Sequence, residues 1–288
     1  MLSTSLQLHD KLPLTCTRTG TCCHGKQVFL NPWELACLAK EKKISVREFS
    51  DFYCDFGGIL LRFDGEKDKQ GFSACSQYIA DFGCSVHEGR SLACRLFPLG
   101  RQIQNGEAKY IFEGTTFPCL NGCPEVLNLP QLKVGDYLIG QETSVFEQAQ
   151  DAYLEVIQNL ADISFELLLE TGLAATGETK TLHAWKRTST ISPTELAQQI
   201  GAEWLEALLF PNLECAKENA STFISKHNEN LQQLAQDQFA SLDNFTAIHE
   251  ASVQMMRLAL YLAKAVGANP ESLAEYWIEI AKSHGACE

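Results

Sequence analysis

A chain of 288 residues, 45 per cent hydrophobic, can bury one large core or two modest ones. Its opening, MLSTSLQLHDKLPL, has neither a basic start with an apolar run nor a small-residue cleavage site, and no stretch approaches the roughly 18 apolar residues that cross a bilayer, so a soluble, cytoplasmic protein with no membrane partner is expected. The formal charge of −13 leaves no basic surplus to displace counterions from phosphates, which argues against nucleic acid.

In chain order, Asn31-Pro32-Trp33-Glu34 sets a capping asparagine before proline at the first helical position and predicts a helix from about Pro32 to Lys42. Ser45-Val46-Arg47-Glu48 is a capping box that opens a short helix through Tyr53, and the apolar, β-prone run Ile59 to Phe63 predicts a strand. Asn105-Gly106, between runs at Leu99 to Gln104 and Glu107 to Glu113, predicts a β-hairpin with a type I′ turn.

The remainder reads as helical. Apolar residues at Val145, Ala149, Ala152, Val156, Leu160, Ile163, Leu167 and Leu168 predict one helix over Tyr137 to Glu170, stopped by Gly172. The polar, Gly/Thr-rich segment 171–190 predicts a linking loop. The capping box at Ser192 starts a helix that ends before Pro211, and further helices are expected over Leu213 to Leu242, Asn244 to Val266 and Pro270 to Ser283. The fold class expected is α+β, mainly helical: an irregular cysteine-rich metal-binding domain with a short hairpin at 1–136, then an all-α helical bundle at 137–288. Charge divides the chain at nearly the same place, since residues 1–140 hold 15 acids and 15 bases, whereas 141–288 hold 21 acids and 8 bases. The acidic half is expected to offer a surface to a protein partner.

Ten of the 12 cysteines fall before residue 124, and a dense set in a reducing compartment points to metal or redox chemistry rather than disulfides. Those with ligand-like spacing are Cys16, Cys22 and Cys23, then Cys75, Cys84 and Cys94, then Cys119 and Cys123. Glycine, proline and small polar neighbours let the backbone wrap an ion and turn its amides toward thiolate sulfur. Four thiolates on one Zn²⁺ leave a net charge of −2, and Arg18, Lys26, Arg90, Arg95 and Arg101 stand close enough in sequence to offset it. His24 and His87 could replace a cysteine or bond its sulfur. Cys37, Cys54, Cys215 and Cys287 read as packing residues, as do His249, Met255 and Met256, and Glu155, Glu166, Glu170, Glu203 and Glu206 as a solvated acidic face.

The doublet Cys22-Cys23 after Cys16, the NPWE helix start, and CSVHEGRSLACRLFP from Cys84 to Pro98 resemble the YkgJ-like cysteine-cluster family, a zinc- or iron-chelating domain with eight cysteines; Cys94-Arg95-Leu96-Phe97-Pro98 resembles its C-R-x-F-P signature. The resemblance covers residues 16 to about 124 and implies a metal or cluster held by those eight positions. Flagellin lysine N-methylases carry a similar cysteine set, which implies an iron-sulfur cluster as one option and an enzyme of that kind, or a redox enzyme, as the alternative function. The chain lacks the C-x3-C-x2-C loop of radical enzymes that use S-adenosylmethionine. Eight thiolates suit two zinc sites, one cubane 4Fe-4S cluster with spare thiols, or a cluster plus a zinc; without C-x2-C pairs the balance tilts toward iron-sulfur. Adjacent side chains diverge in a strand or a helix, so Cys22 and Cys23 are expected to serve different metals, or one to ligate while the other supports it.

Overall fold

The structure is a computed structural model that describes residues 3–12, 20, 23–104, 107–113, 130–169, 179–215 and 220–286. The first long helix, α1 (Pro32–Lys42), begins as the sequence dictates: the Asn31 side chain accepts the Glu34 amide at 2.9 Å, and the Glu34 carboxylate accepts the Asn31 amide at 3.1 Å. Every residue from Pro32 to Ala39 is buried, so α1 is a core helix covered on all sides rather than an amphipathic surface one. A second box, Ser45 with Glu48, opens α2 (Val46–Tyr53).

The strand expected over Ile59 to Phe63 shrinks to two residues. β2 (Cys54–Asp55) pairs with β3 (Leu60–Leu61) across a tight turn at Phe56–Gly58, in which all three residues have positive φ. A Cβ at Gly57 would stand 2.6 Å from the Tyr261 hydroxyl, which bonds the Phe56 carbonyl, so glycine is required there by both φ and space. The Gly57-Gly58 pair marks a turn locally, and the Tyr261 bond from the other half of the chain is the part no local pattern carries.

After β4 (Tyr78–Ile79), β5 (Gly83–Cys84) and the short α3 (Leu92–Leu96), the expected hairpin forms from β6 (Gly100–Gln104) and β7 (Glu107–Glu113); its turn residues, 105 and 106, lie outside the described residues. Its other edge is taken by β1 (Ser3–Leu6), antiparallel with Ser3 opposite Glu113, giving the order β1-β7-β6. Such long-range pairing leaves no local signature, so β1 is not predictable from its own residues.

The helix expected over Tyr137 to Glu170 is two: α4 (Val134–Gly140) and α5 (Thr143–Leu169). Between them Glu142 has φ 52°, and the Gln141 carbonyl accepts Arg95 Nη1 at 2.8 Å, so a buried guanidinium holds the break open. The loop expected at 171–190 is corrected over its second part, since 179–190 form helix α6 (Thr179–Thr190). Leu182 and Trp185 are buried there, and that packing overrides the weak propensity of the threonines; 171–178, Gly172 included, lie outside the described residues. The helix expected from Ser192 to Pro211 is α7 (Pro193–Ile200) and α8 (Ala202–Leu209), divided by Gly201 at φ 83°. Then come α9 (Ala220–Phe239), beginning later than expected because Leu213–Cys215 are not helical, α10 (Phe245–Ala265) and α11 (Pro270–Ser283).

Helix α10 is the centre of the bundle, buried over most of its length and packed chiefly on α5. Their close approach is fixed by Ser164 and Ser252, whose hydroxyls lie 3.1 Å apart and bond each other's carbonyls. The main core joins this bundle to Leu12, Trp33, Ile59 and Leu96 of the first half. A smaller core of Val28, Leu30, Leu35, Leu38, Phe49, Leu61 and Val86 holds Cys54 and Cys75, with Cys23, Cys84 and Cys94 packed against it. Among the described residues, no helix is long and apolar enough to cross a membrane.

Candidate metal centre

Four of the eight expected ligands can be placed, and all four line one cavity of about 100 Å³: Cys23, Cys75, Cys84 and Cys94. Cys16, Cys22, Cys119 and Cys123 lie outside the described residues. Each placed cysteine comes from a different stretch of chain. Cys23 follows Gly20 (φ 78°), where a Cβ would strike the Tyr78 ring at 2.5 Å. Its amide donates to the Gly20 carbonyl at 2.8 Å, and its own carbonyl accepts the Cys75 amide at 2.7 Å, which draws two distant cysteines side by side. Cys84 closes the β4-β5 hairpin opposite Tyr78, and Cys94 sits in the middle of α3.

Cys75 is the most buried of the four and carries the clearest chemistry. Its sulfur accepts the Gln77 amide at 3.5 Å, the kind of donation that stabilises a thiolate. Burial nevertheless pushes its thiol up to about 12; the Gln77 amide opposes this, and charge on Cys94 or Cys84 pushes the same way as burial. A set of thiols in mutual electrostatic reach and in a buried wall stays protonated unless a cation compensates it. Cys54 is also pushed up to about 12, mainly by burial, and feels Cys75, but it does not line the cavity and keeps its packing role.

The remaining wall suits a thiolate-bound cation. Lys26, His87 and Arg90 line the cavity, and no aspartate or glutamate among the described residues does. Arg90 Nη1 lies 2.7 Å from His87 Nε2, and Arg90 Nη2 donates to Gln141 Oε1 at 2.6 Å. Among the described residues, the Arg90 Nε and the Ser91 hydroxyl are buried without a hydrogen-bond partner, although Ser91 occupies the N-cap position of α3 and could have capped it. Two orphaned donors on a wall shared with four cysteines are what an anionic metal-thiolate group would satisfy, so the residues present fit zinc or an iron centre. Among the described residues, no three His, Cys, Asp or Glu side chains meet at the spacing of one ion's ligand shell. His24 does not line this cavity; it bridges Ala74 through its backbone and sets its ring against Tyr78.

Two residues without a cysteine's signal position the site. Arg95, only 2% exposed, donates to three carbonyls, Arg90 at 3.0 Å, Gln141 at 2.8 Å and Glu88 at 2.6 Å, and lies 4.0 Å from the Phe146 ring. It therefore fixes both the segment that carries His87 and Arg90 and the joint between α4 and α5, rather than supplying charge to the cavity itself. Glu34, besides closing the α1 cap, accepts the Leu92 amide at 2.6 Å and so anchors the start of α3 that carries Cys94. Burial pushes its carboxyl up to about 7 against the two amides and Arg95. Arg101 is engaged elsewhere, bidentate to Asp151 at 2.7 Å from both nitrogens. Arg18 lies outside the described residues. Of the acidic face, Glu155, Glu166, Glu203 and Glu206 are exposed, and Met255 and Met256 are fully buried; Glu170 lies outside the described residues.

Comparison with known proteins yields one family. Residues 15–111 match the family model CxxCxxCC, described as "Putative zinc- or iron-chelating domain". The matched segment contains six of the eight candidate ligands, and Cys119 and Cys123 follow its end. Neither the curated proteins nor the solved structures contain a match. The cavity and the matched segment point the same way: residues 15–111 of this chain are similar to the domain so described, and four of its cysteines line one cavity.

Proposed function

We propose that this protein binds a thiolate-ligated metal centre in the cavity lined by Cys23, Cys75, Cys84 and Cys94, with Cys16, Cys22, Cys119 and Cys123 completing the ligand set. The observation that carries the reading is that cysteines from four separate stretches reach one cavity that offers cations and orphaned donors and, among the described residues, no carboxylate. The centre we favour is an iron-sulfur cluster of the 4Fe-4S type. Its support is the amide donated to the Cys75 sulfur, the low exposure of that sulfur, and a ligand set without the C-x2-C knuckle of structural zinc sites. When bound, such a centre supplies electron transfer or, with an open position, substrate activation. The acidic helical half then serves as the surface for a protein partner.

Protein purified without oxygen tests this. Iron with acid-labile sulfide and a broad visible absorption is expected, with zinc and a featureless visible spectrum as the outcome that keeps the site but changes the metal. Cys75→Ser is expected to lose most of the metal and Cys54→Ala to keep it. A folded protein that takes up neither metal, with all eight thiols reactive, would falsify the proposal.

A further inference from the structure

Outside the metal cavity, the structure brings together two cysteines that sequence separation hides. Cys37 on α1 and Cys215, just before α9, place their sulfurs 2.9 Å apart although they are 178 positions apart in the sequence. Both are buried, at 8% and 7% exposure, and neither lines the cavity of the candidate ligands. The Cys215 sulfur also lies 3.8 Å from the Trp33 carbonyl, and its own carbonyl accepts the ammonium of Lys40 at 2.7 Å. Lys40 is an exposed residue, so the pair sits one side chain from solvent.

We infer that Cys37 and Cys215 are a redox-active dithiol that closes to a disulfide when the protein meets a hydroperoxide. A disulfide needs sulfurs about 2.0 Å apart, so the two must approach by roughly 0.9 Å, within side-chain rotation. Roles follow from the environment. Either sulfur can donate in their shared contact; with Cys37 as the donor the Cys215 thiol is lowered against its burial, the nearby Lys40 ammonium adding to that, whereas the same contact and burial raise Cys37. The Cys215 thiolate attacks one peroxide oxygen and breaks the O–O bond; the oxygen stays on sulfur as a sulfenic acid, and hydroxide leaves and takes up a proton to become the first water. The Cys37 sulfur then attacks the sulfenic sulfur; the S–S bond forms, the S–O bond breaks, and the Cys37 proton leaves with the hydroxyl as the second water. Two thiols lose two electrons and one hydrogen peroxide gains them. A dithiol reductant reverses the bond by exchange.

The bond would staple α1, which carries Glu34 and thereby the start of α3, to the segment that leads into α9. It is thus a covalent tie between the cysteine-rich half and the helical half, made from two cysteines outside the proposed ligand set.

Titration of the full chain with hydrogen peroxide tests this, followed by alkylation, digestion without reductant and peptide mass spectrometry. The expected result is one cross-linked pair of peptides containing Cys37 and Cys215, two hydrogens lighter than their sum, that disappears with dithiothreitol. Cys37→Ala should abolish the pair and leave Cys215 as a sulfenic acid trapped by dimedone. Recovery of both residues as alkylated thiols while other cysteines oxidise, or their pairing with cysteines other than each other, would overturn the inference. The wild-type map decides the matter even if the variant does not fold, and it reads neither metal identity nor content.

Discussion

Replacing Arg95 by methionine removes three charge-assisted donors at once and leaves the carbonyls of Glu88, Arg90 and Gln141 without them. A buried acceptor stripped of its donor costs about 1–3 kcal/mol. Glu88 is exposed, and water can replace the guanidinium there, so the cost falls mainly on Arg90 and Gln141, both partly buried. Methionine keeps much of the stem's packing against Phe146, where the guanidinium lies 4.0 Å from the ring. With two such acceptors the expected loss is therefore about 2–6 kcal/mol. Lysine, with one ammonium in place of a planar fork, reaches one carbonyl at most and should recover less than half of that loss. Urea denaturation of the metal-free protein measures it, and retention of metal against a chelator measures the second consequence, since the segment carrying His87 and Arg90 is held by the same bonds. If Arg95→Met lies within 1 kcal/mol of wild type, or if it costs stability while metal retention is unchanged, the positioning role assigned to Arg95 fails.

The unpartnered Ser91 hydroxyl gives a prediction of opposite sign for two measurements: Ser91→Ala should leave the metal-free protein as stable or up to about 1 kcal/mol more stable, yet weaken metal binding. Equal loss in both measurements would mean the hydroxyl serves the fold alone. Two buried groups make stability depend on pH in opposing directions. Glu34 is raised from 4.5 to about 7 by burial, so its contribution is present below pH 4.5 and is lost, by about 3 kcal/mol, as pH rises through 7. His227 is lowered from 6.5 to about 4, also by burial, with its ring bonded to the Tyr153 hydroxyl and near the Ala207 carbonyl; its contribution, again about 3 kcal/mol, is present above pH 6.5 and is lost as pH falls through 4. In the wild type the two slopes offset each other between pH 4.5 and 6.5. Glu34→Gln should therefore gain stability as pH rises across that window, and His227→Gln should lose it; parallel denaturation profiles for the three proteins would refute both assignments.

Where structure depends on neighbours along the chain, the sequence settled it. The caps at Asn31, Ser45, Ser192, Asn244 and Asn269 open helices, because a cap is a bond between residues three apart. The mainly helical fold class and the hairpin after Cys94 were legible for the same reason: periodicity and turn chemistry are local. Tertiary structure decided what distance in sequence conceals. The break at Gln141 exists because Arg95, 46 residues earlier, takes its carbonyl, and Trp185 makes a helix of a threonine-rich segment by burying itself. The two cysteines that composition marked only as packing residues became a pair when α1 met the segment before α9. Spacing could show that many thiols were gathered in the first half; only the fold could assign Cys23, Cys75, Cys84 and Cys94 to one cavity and Cys37 with Cys215 to another place, because a sulfur's neighbours are set by packing in three dimensions.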